Sequence, residues 1–207
     1  MSEKKVKPKA ESILETAGEI FAERGFRKTT IREICKRSRV NLAAINYYFG
    51  DKEQLYLACL KYYQSISRQK YPLNFGINSL DSPKEKLSIF IQTFIFRLLE
   101  EGKTTLFGKL LAREFIESTG ALDVLVKESI KPSFIQLSSI VKEVMGNNFD
   151  DKKVELCAMS ILGQCLYFRN AKPVIFRLWH KKTYSNEDIK EIAEHIINFS
   201  LKGLLNY

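Results

Sequence analysis

The chain has 207 residues, of which 45% are hydrophobic, 28% charged and 12% aromatic, with only 10 Gly and 5 Pro. This composition is typical of a globular protein and argues against a disordered chain or a repeat array. No apolar run reaches the roughly 18 to 20 residues that a membrane span needs, and MSEKKVKPKAES lacks the apolar core of a signal peptide, so we expect a cytoplasmic protein that spans no membrane.

The net charge of +9 is concentrated at the N-terminal end of the chain. Residues 1–70 contain 15 Lys and Arg against 8 Asp and Glu, which leaves 18 against 16 of the totals of 33 and 24 for the rest. A localised basic excess suits a nucleic acid or an anionic membrane surface as the partner. Charge alone leaves both partners open.

The side chains that carry catalytic chemistry are scarce. The four cysteines form no CxxC pattern, and the sequence has only two histidines that could complete a metal site. We therefore expect the cysteines to be small buried hydrophobic residues and not metal or redox sites. The sequence has no Gly-rich phosphate loop, no HExxH motif and no nucleophile elbow. We therefore predict a protein that is not an enzyme and needs no metal or cofactor, although a helical enzyme with catalytic carboxylates stays formally open.

Three helices are predicted in the basic N-terminal end. Residues 1–9 are expected to be a flexible basic lead, and AESILETAGEIFAERGF then carries apolar residues at helical spacing until Gly25 ends the helix. The next helix opens on TIRE, in which Thr30 can cap the first turn and Glu33 can return the bond. Asn41 is a competent N-cap for the third helix, LAAINYYF. Two short helices joined by a tight turn are the pattern of a helix-turn-helix.

The rest of the chain is also predicted to be helical, because no segment shows the two-residue alternation of a strand. A long fourth helix begins at Asp51 and runs to about Lys70, before YPLNFGINSLDSP breaks the chain. Helical spacing continues to the C-terminus, with Pro132 expected to bend or divide one helix. We predict an all-α protein in three parts: the flexible residues 1–9, a helix-turn-helix domain over residues 10–55, and a larger C-terminal domain over residues 56–207.

Helical geometry divides the third helix into two faces. At 100° per residue the inward face is predicted to hold Leu42, Ile45, Tyr48 and Phe49. The outward face is predicted to hold Ala43, Ala44, Asn46 and Tyr47. This uncharged set suits a DNA major groove, because alanines allow close approach and an Asn amide can pair with adenine. The alternative is that the whole segment is an ordinary buried packing element.

Residues 13–56, ILETAGEIFAERGFRKTTIREICKRSRVNLAAINYYFGDKEQLY, resemble the DNA-binding domain of TetR/AcrR-type bacterial repressors. The motifs A..lF...G, TT.reI, an aromatic third helix and F.dKe.L occur in the family's order. VN.AAINYYFG is most similar to the CecR/YbiH-type branch, and LAREFIESTGALDVL, KPSFIQL and ILGQCLYFRNAKPVIFRL resemble its C-terminal domain. The resemblance implies a homodimeric repressor that binds double-stranded DNA at a palindromic operator and is released by a small, largely apolar inducer.

The family resemblance, together with the flanking polar residues, implies the positions that contact DNA. They are Thr30, Arg32, Arg39, Asn41, Leu42, Ala43, Ala44, Asn46, Tyr47, Tyr48 and Lys52. Arg39 departs from the family, whose turn usually has Gly at this position. If φ of Arg39 is positive, arginine in place of glycine lowers the stability by on the order of 1 kcal/mol. The alternative is that the arginine is there to reach a phosphate. Asn46 replaces a frequent tyrosine, so operator sequences of other members do not transfer.

The C-terminal domain is expected to bind the inducer and to form the dimer. Candidate inducer-binding residues are the aromatic Phe90, Phe94, Phe107, Phe134, Phe168, Phe176 and Trp179, with Arg113, Gln164 and Arg169 as polar groups. The predicted helices over residues 154–168 and 189–205 have apolar faces too wide to be covered by a single neighbouring helix. Their candidate dimer residues are Leu162, Leu166, Ile192, Ile196, Phe199 and Gly203. The alternatives are that the aromatics only fill the core and that both helices are central in a monomer. A DNA-bound structural protein that acts through a protein partner without an inducer is the competing function.

Overall fold

The computed structural model of the protein describes residues 3–72, 77–78, 81–146 and 148–206. Within these ranges every regular element is a helix, as the sequence predicts. None of the described helices is long and apolar enough to span a membrane. Part of the predicted break YPLNFGINSLDSP, at residues 73–76 and 79–80, and the first two residues of the predicted flexible lead lie outside the described residues.

The helix boundaries follow the punctuation of the sequence closely. In chain order the helices are α1 Glu3–Lys28, α2 Ile31–Ser38, α3 Leu42–Phe49, α4 Lys52–Lys70, α5 Pro83–Leu99, α6 Lys103–Ile116, α7 Ala121–Leu125, a π-helical segment Val126–Ile130, α8 Lys131–Met145, α9 Asp151–Asn170, α10 Lys172–Leu178 and α11 Asn186–Leu205. The π-helical segment lies just before Pro132, which lacks the amide that a continuous α-helix needs and so divides the helix as expected.

Local side-chain bonds explain where the helices begin. Thr30 Oγ1 accepts from the Glu33 amide at 3.2 Å, and Asn41 Oδ1 accepts from the Ala44 amide at 2.9 Å. The Glu33 carboxylate pairs with Arg24 Nη1 at 3.0 Å, so it does not serve the reciprocal capping role that the sequence suggested. Capping boxes are complete at the starts of α5 and α11. These bonds satisfy amides that a helix N-terminus leaves without partners.

The start of α1 differs from the prediction. The lead over residues 1–9 was expected to be flexible, but α1 is helical from Glu3 onward. Lys, Glu and Ala are favourable helix formers, so a basic composition does not by itself prevent a helix. At its other end the expected break is present, because Gly25 has φ 78° and ψ 168° within α1.

The chain forms two compact units, and their limits differ from the predicted division after residue 55. Unit 1 contains Met1–Ser67 and Gly102–Leu125, and unit 2 contains Arg68–Glu101 and Val126–Tyr207. Helices α6 and α7 therefore belong with the helix-turn-helix, although the prediction assigned them to the C-terminal domain. The physical reason is that the buried Leu110 and the half-buried residues around it pack into the core of unit 1.

Each unit has its own apolar core. In unit 1 the buried Phe21, Ile34, Ile45 and Leu60 come from α1, α2, α3 and α4. Helices α1 and α4 approach closely because position 18 is Gly: a Cβ there would lie 2.2 Å from Tyr63 Cε2. The core of unit 2 is built mainly from α5, α8, α9 and α11. Cys59, Cys157 and Cys165 are buried and Cys35 is half-buried, as expected of small hydrophobic residues.

The turn between α2 and α3 stores a small backbone strain at Arg39. This residue is the C-cap of α2 and has φ 54° and ψ 41°, the left-handed conformation that favours glycine. Arg39→Gly should therefore raise the free energy of unfolding by about 1 kcal/mol, measured by urea denaturation. Lys36→Gly, inside the exposed face of α2, should lower it by a similar amount. A destabilised Arg39→Gly protein would contradict this interpretation of the turn.

Candidate nucleic-acid interface

Helix α3 is held against unit 1 by one fully buried side chain. Ile45 has no exposed surface and packs in the core with Ile34 and Phe21. Asn41 caps the first turn, and the Gly50 amide donates to the Asn46 carbonyl at the last turn. Burial of one large aliphatic side chain contributes about 1.5 to 3 kcal/mol. The helix is thus fixed at its middle and at both ends.

The outward face of α3 is uncharged and accessible. Tyr47 is 78% exposed, Asn46, Ala43 and Asn41 are exposed, and Ala44 is half-buried. Leu42 departs from the predicted inward face, because it is 55% exposed. It is the first residue of α3, where the preceding turn does not cover the side chain. The accessible face therefore runs from Asn41 to Tyr47 along one side of the helix.

Tyr48 and Phe49 form the edge between the inward and outward faces. Both are half-buried and pack against the core of unit 1. The rings of Tyr47 and Tyr48 meet edge-to-face, with centroids 5.1 Å apart. Aromatic rings prefer this arrangement, so Tyr48 helps to orient the exposed Tyr47 ring.

Exposed basic side chains lie on the elements that precede this uncharged helix in the chain. Exposed cations of unit 1 near the helix-turn-helix in sequence are Arg27, Lys28, Arg32, Lys36 and Arg39. Two other arginines are engaged by carboxylates, Arg24 with Glu33 at 3.0 Å and Arg37 with Glu23 at 3.5 Å. The exposed cations make the surroundings of α3 suited to an anionic partner.

Two predicted phosphate contacts are held by specific neighbours. Lys52 Nζ lies 4.4 Å from the centroid of the Phe26 ring, a cation–π contact that restrains the lysine at the start of α4. The Thr30 hydroxyl oxygen accepts the Glu33 amide, which leaves its proton free to be donated to a phosphate. Sequence periodicity missed the role of Phe26, because a cation–π contact between α1 and α4 has no local signal.

The predicted inducer-binding residues are divided between the two units. Phe168 and Trp179 line a cleft of about 510 Å³ in unit 2, together with Lys181, Asp188, Glu191, Ile192 and His195. Phe90 is buried in the core of unit 2, and Phe94, Phe134 and Phe176 pack against that core. Phe107 and Arg113 lie in unit 1, so they do not join the others in that cleft.

The polar groups proposed to orient an inducer are partly engaged already. Arg113 Nη2 donates to the Glu23 carbonyl at 2.7 Å, at the end of α1. Gln164 Nε2 lies 3.5 Å from the Ser160 carbonyl of its own helix. Burial lowers the pKa of Arg169 to about 10. Of these three, Arg113 lies in unit 1, and Gln164 and Arg169 lie in unit 2.

The predicted dimer residues also fall into two groups. Ile192 and Ile196 are buried in the core of unit 2. Phe199 and Gly203 are exposed, and Leu162 and Leu166 are half-buried. Periodicity could have found a further stripe on α9, where the exposed apolar Leu156, Met159 and Tyr167 recur at helical spacing.

Comparison with known proteins identifies the chain's relatives. Residues 13–59 match the model of bacterial regulatory proteins of the tetR family, and residues 83–204 match the C-terminal domain of the HTH-type transcriptional dual regulator CecR. CecR of Shigella flexneri is 29% identical over 195 residues, which covers 89% of this chain and 87% of that protein.

Solved structures share the fold over almost the whole chain. A TetR-like transcriptional regulator from Rhodococcus sp. superposes with a TM-score of 0.72 at 17% identity, covering 96% of this chain and 97% of the other. AibR, crystallised in complex with isovaleryl coenzyme A and operator DNA, superposes with a TM-score of 0.69 at 18% identity, covering 92% and 97%. The chain belongs to the TetR family of bacterial transcriptional regulators, which are DNA-binding proteins and not enzymes, and it carries a CecR-type C-terminal domain.

Proposed function

We propose that the protein is a dimeric repressor that reads a palindromic operator with α3 and is released by a small, largely apolar inducer. The observation that carries the DNA-reading part is the outward face of α3, which is exposed, uncharged and fixed to unit 1 through Ile45. An Asn amide can form two hydrogen bonds with adenine, and alanines can lie against a thymine methyl group. These side chains select sequence, while the surrounding cations supply attraction.

The first test concerns sequence preference. Genomic fragments selected with the purified protein would define an operator. Asn46→Ala and Tyr47→Ala should each weaken binding to it by about 1 to 3 kcal/mol, and Asn46→Ala should relax the preference at one base pair per half-site, measured by gel shift with single-base operator variants.

Asn148→Ala is the matched control, because Asn148 is also an exposed asparagine, but it lies in unit 2 outside the helices proposed as the dimer interface. It should leave affinity and preference unchanged. If Asn46→Ala and Tyr47→Ala both bind the selected fragments as the unchanged protein does, α3 is not the reader.

Dimerisation is proposed because an eight-residue helix reads too few base pairs for a specific genomic site. A symmetric dimer sets two recognition helices about 34 to 36 Å apart over a palindrome. Exposed apolar side chains support α9 and α11 as the interface: Tyr167 on α9 is 55% exposed, and Phe199 on α11 is 63% exposed. Clusters of exposed apolar residues mark interaction surfaces.

Tyr167→Glu combined with Phe199→Glu should convert the dimer into a monomer, because two carboxylates per subunit would be desolvated in the interface. Sedimentation equilibrium measures the change, and operator affinity should fall with it. Val174→Glu is the matched control, since Val174 is 53% exposed on α10. A double variant with an unchanged dimerisation constant would refute this interface.

The inducer is proposed to bind in the cleft of unit 2. Its volume of about 510 Å³ lies within the range of roughly 300 to 1,000 Å³ that small-molecule sites occupy. Phe168 and Trp179 supply an aromatic wall, with centroids 6.1 Å apart. The fold similarity to AibR, which was crystallised with isovaleryl coenzyme A, supports a ligand-responsive regulator. A near-complete switch requires the ligand to prefer the released state by about 5.5 kcal/mol.

Trp179 is the chain's one tryptophan, so its fluorescence reports on this cleft. A series of short-chain fatty acids and their coenzyme A thioesters can be titrated against the protein and against its complex with operator DNA. The compound that changes Trp179 fluorescence should also release the DNA at the same concentration. DNA binding that no compound alters would favour a DNA-bound structural protein.

A further inference from the structure

We infer that Arg113 of α6 is a positioning residue for DNA recognition, which acts by holding the end of α1 and the segment that leads from it into α2. The inference rests on the proposed function, because it takes Thr30 and Arg32 at the start of α2 as contacts to DNA. Arg113 itself touches no DNA in this account. Its effect passes through the backbone of residues 25–30.

The guanidinium of Arg113 is turned toward main-chain carbonyls of α1. Its Nη2 donates to the Glu23 carbonyl at 2.7 Å, and its Nε donates to the Ala22 carbonyl at 3.4 Å. These carbonyls belong to the last turn before Gly25, where the helical geometry of α1 is interrupted. Carbonyls at a helix C-terminus carry partial negative charge and favour a cation. Arg113 therefore caps the last helical turn of α1 before Gly25, although it is 90 residues away from Glu23 in sequence.

The backbone that carries Arg113 is itself anchored. Leu110, one turn earlier in α6, is fully buried in the core of unit 1. Glu114, the next residue, is also fully buried, and its carboxylate accepts from the Thr119 amide at 3.1 Å and the Thr119 hydroxyl at 3.0 Å. These contacts fix the last turn of α6 and the turn that follows it. Because the backbone of α6 is fixed here, the Arg113 guanidinium can restrain the end of α1 and does not simply move with it.

The segment between α1 and α2 is held on both sides. Glu117 lies so close to Gly25 that a Cβ on Gly25 would be 3.0 Å from its Oε2. The buried Thr29 hydroxyl donates to the Gly25 carbonyl at 2.8 Å. Thr30, the next residue, is the N-cap of α2. A short series of hydrogen bonds, from Arg113 to the end of α1 and from Thr29 to Gly25, thus sets the position of Thr30 and Arg32.

Arg113→Met tests this assignment, because methionine keeps an unbranched apolar stem and removes both donors. We expect operator affinity to fall about tenfold, the scale of one charge-assisted hydrogen bond, with base preference unchanged. The salt dependence of binding should stay the same, because the loosened segment is ordered again in the complex, at a cost in affinity, and Thr30 and Arg32 still reach their phosphates there. Amide hydrogen exchange should accelerate over residues 26–33 and stay unchanged in α4. Arg113→Lys, which keeps the charge and one donor at a time, should restore part of the affinity.

Arg177→Met is the matched control, since Arg177 is exposed in unit 2 and donates to the Pro173 carbonyl of its own helix at 2.6 Å. It should bind the operator like the unchanged protein. Unchanged affinity of Arg113→Met would overturn the inference, and so would a lower salt slope, which would make Arg113 a phosphate contact. If Arg113→Met does not fold, unchanged affinity and exchange in Arg113→Lys would overturn it equally.

Asn46→Ala, measured beside these variants, separates the two claims. If Asn46→Ala weakens and relaxes binding while Arg113→Met changes nothing, only the role of Arg113 fails. If Arg113→Met accelerates exchange over residues 26–33 while Asn46→Ala binds normally, the segment is held as described but the proposed reader is wrong.

Discussion

Burial of Ile45 is the interaction on which the proposed DNA-reading surface depends. A helix of eight residues is not stable by itself in water, because nucleation is unfavourable and few hydrogen bonds follow it. Helix α3 forms because Ile45 is fully enclosed by unit 1 and because Asn41 and Gly50 close its two ends. Because α3 is attached on one side only, the residues on its opposite side are not needed for packing. The residues there can be chosen for recognition alone.

The proposed function therefore separates electrostatic attraction from sequence selection in space. The outward face of α3 carries no charge, whereas exposed lysines and arginines lie on the elements around it. Contacts to phosphates give affinity that depends on salt and carries no sequence information, and contacts to base edges give preference. This division of roles explains why an aromatic, uncharged helix lies in the most basic part of the chain. In the proposed function its neighbours attract DNA, and α3 distinguishes one sequence from another.

Helix ends and the helix-turn-helix could be predicted from the sequence because their causes are local. Thr30, Asn41 and Ser82 cap helices whose first turns they precede. The left-handed conformation of Arg39 could be expected from the glycine that the family has at that position. The inward direction of Ile45 followed from helical geometry. In each case the deciding atoms lie within a few residues of one another.

Tertiary partners could not be predicted, because an apolar stripe shows that a helix face is buried but not which element packs against it. The stripe of α6 gave no sign that it packs into unit 1, so Phe107 and Arg113 were expected in the C-terminal domain, whereas they lie in unit 1. Ile192 and Ile196 were expected at a dimer interface, but they are enclosed within unit 2. The bond from Arg113 to the Glu23 carbonyl has no sequence signature at all, since its acceptor is backbone.

The salt dependence of operator binding tests whether attraction and selection are carried by different side chains. The slope of log K against log salt should fall by about 0.9 in Arg32→Ala, because one phosphate contact is lost, while base preference stays the same. In Asn46→Ala the affinity and preference should change and the slope should not. A reduced slope in Asn46→Ala, or altered base preference with an unchanged slope in Arg32→Ala, would contradict the account.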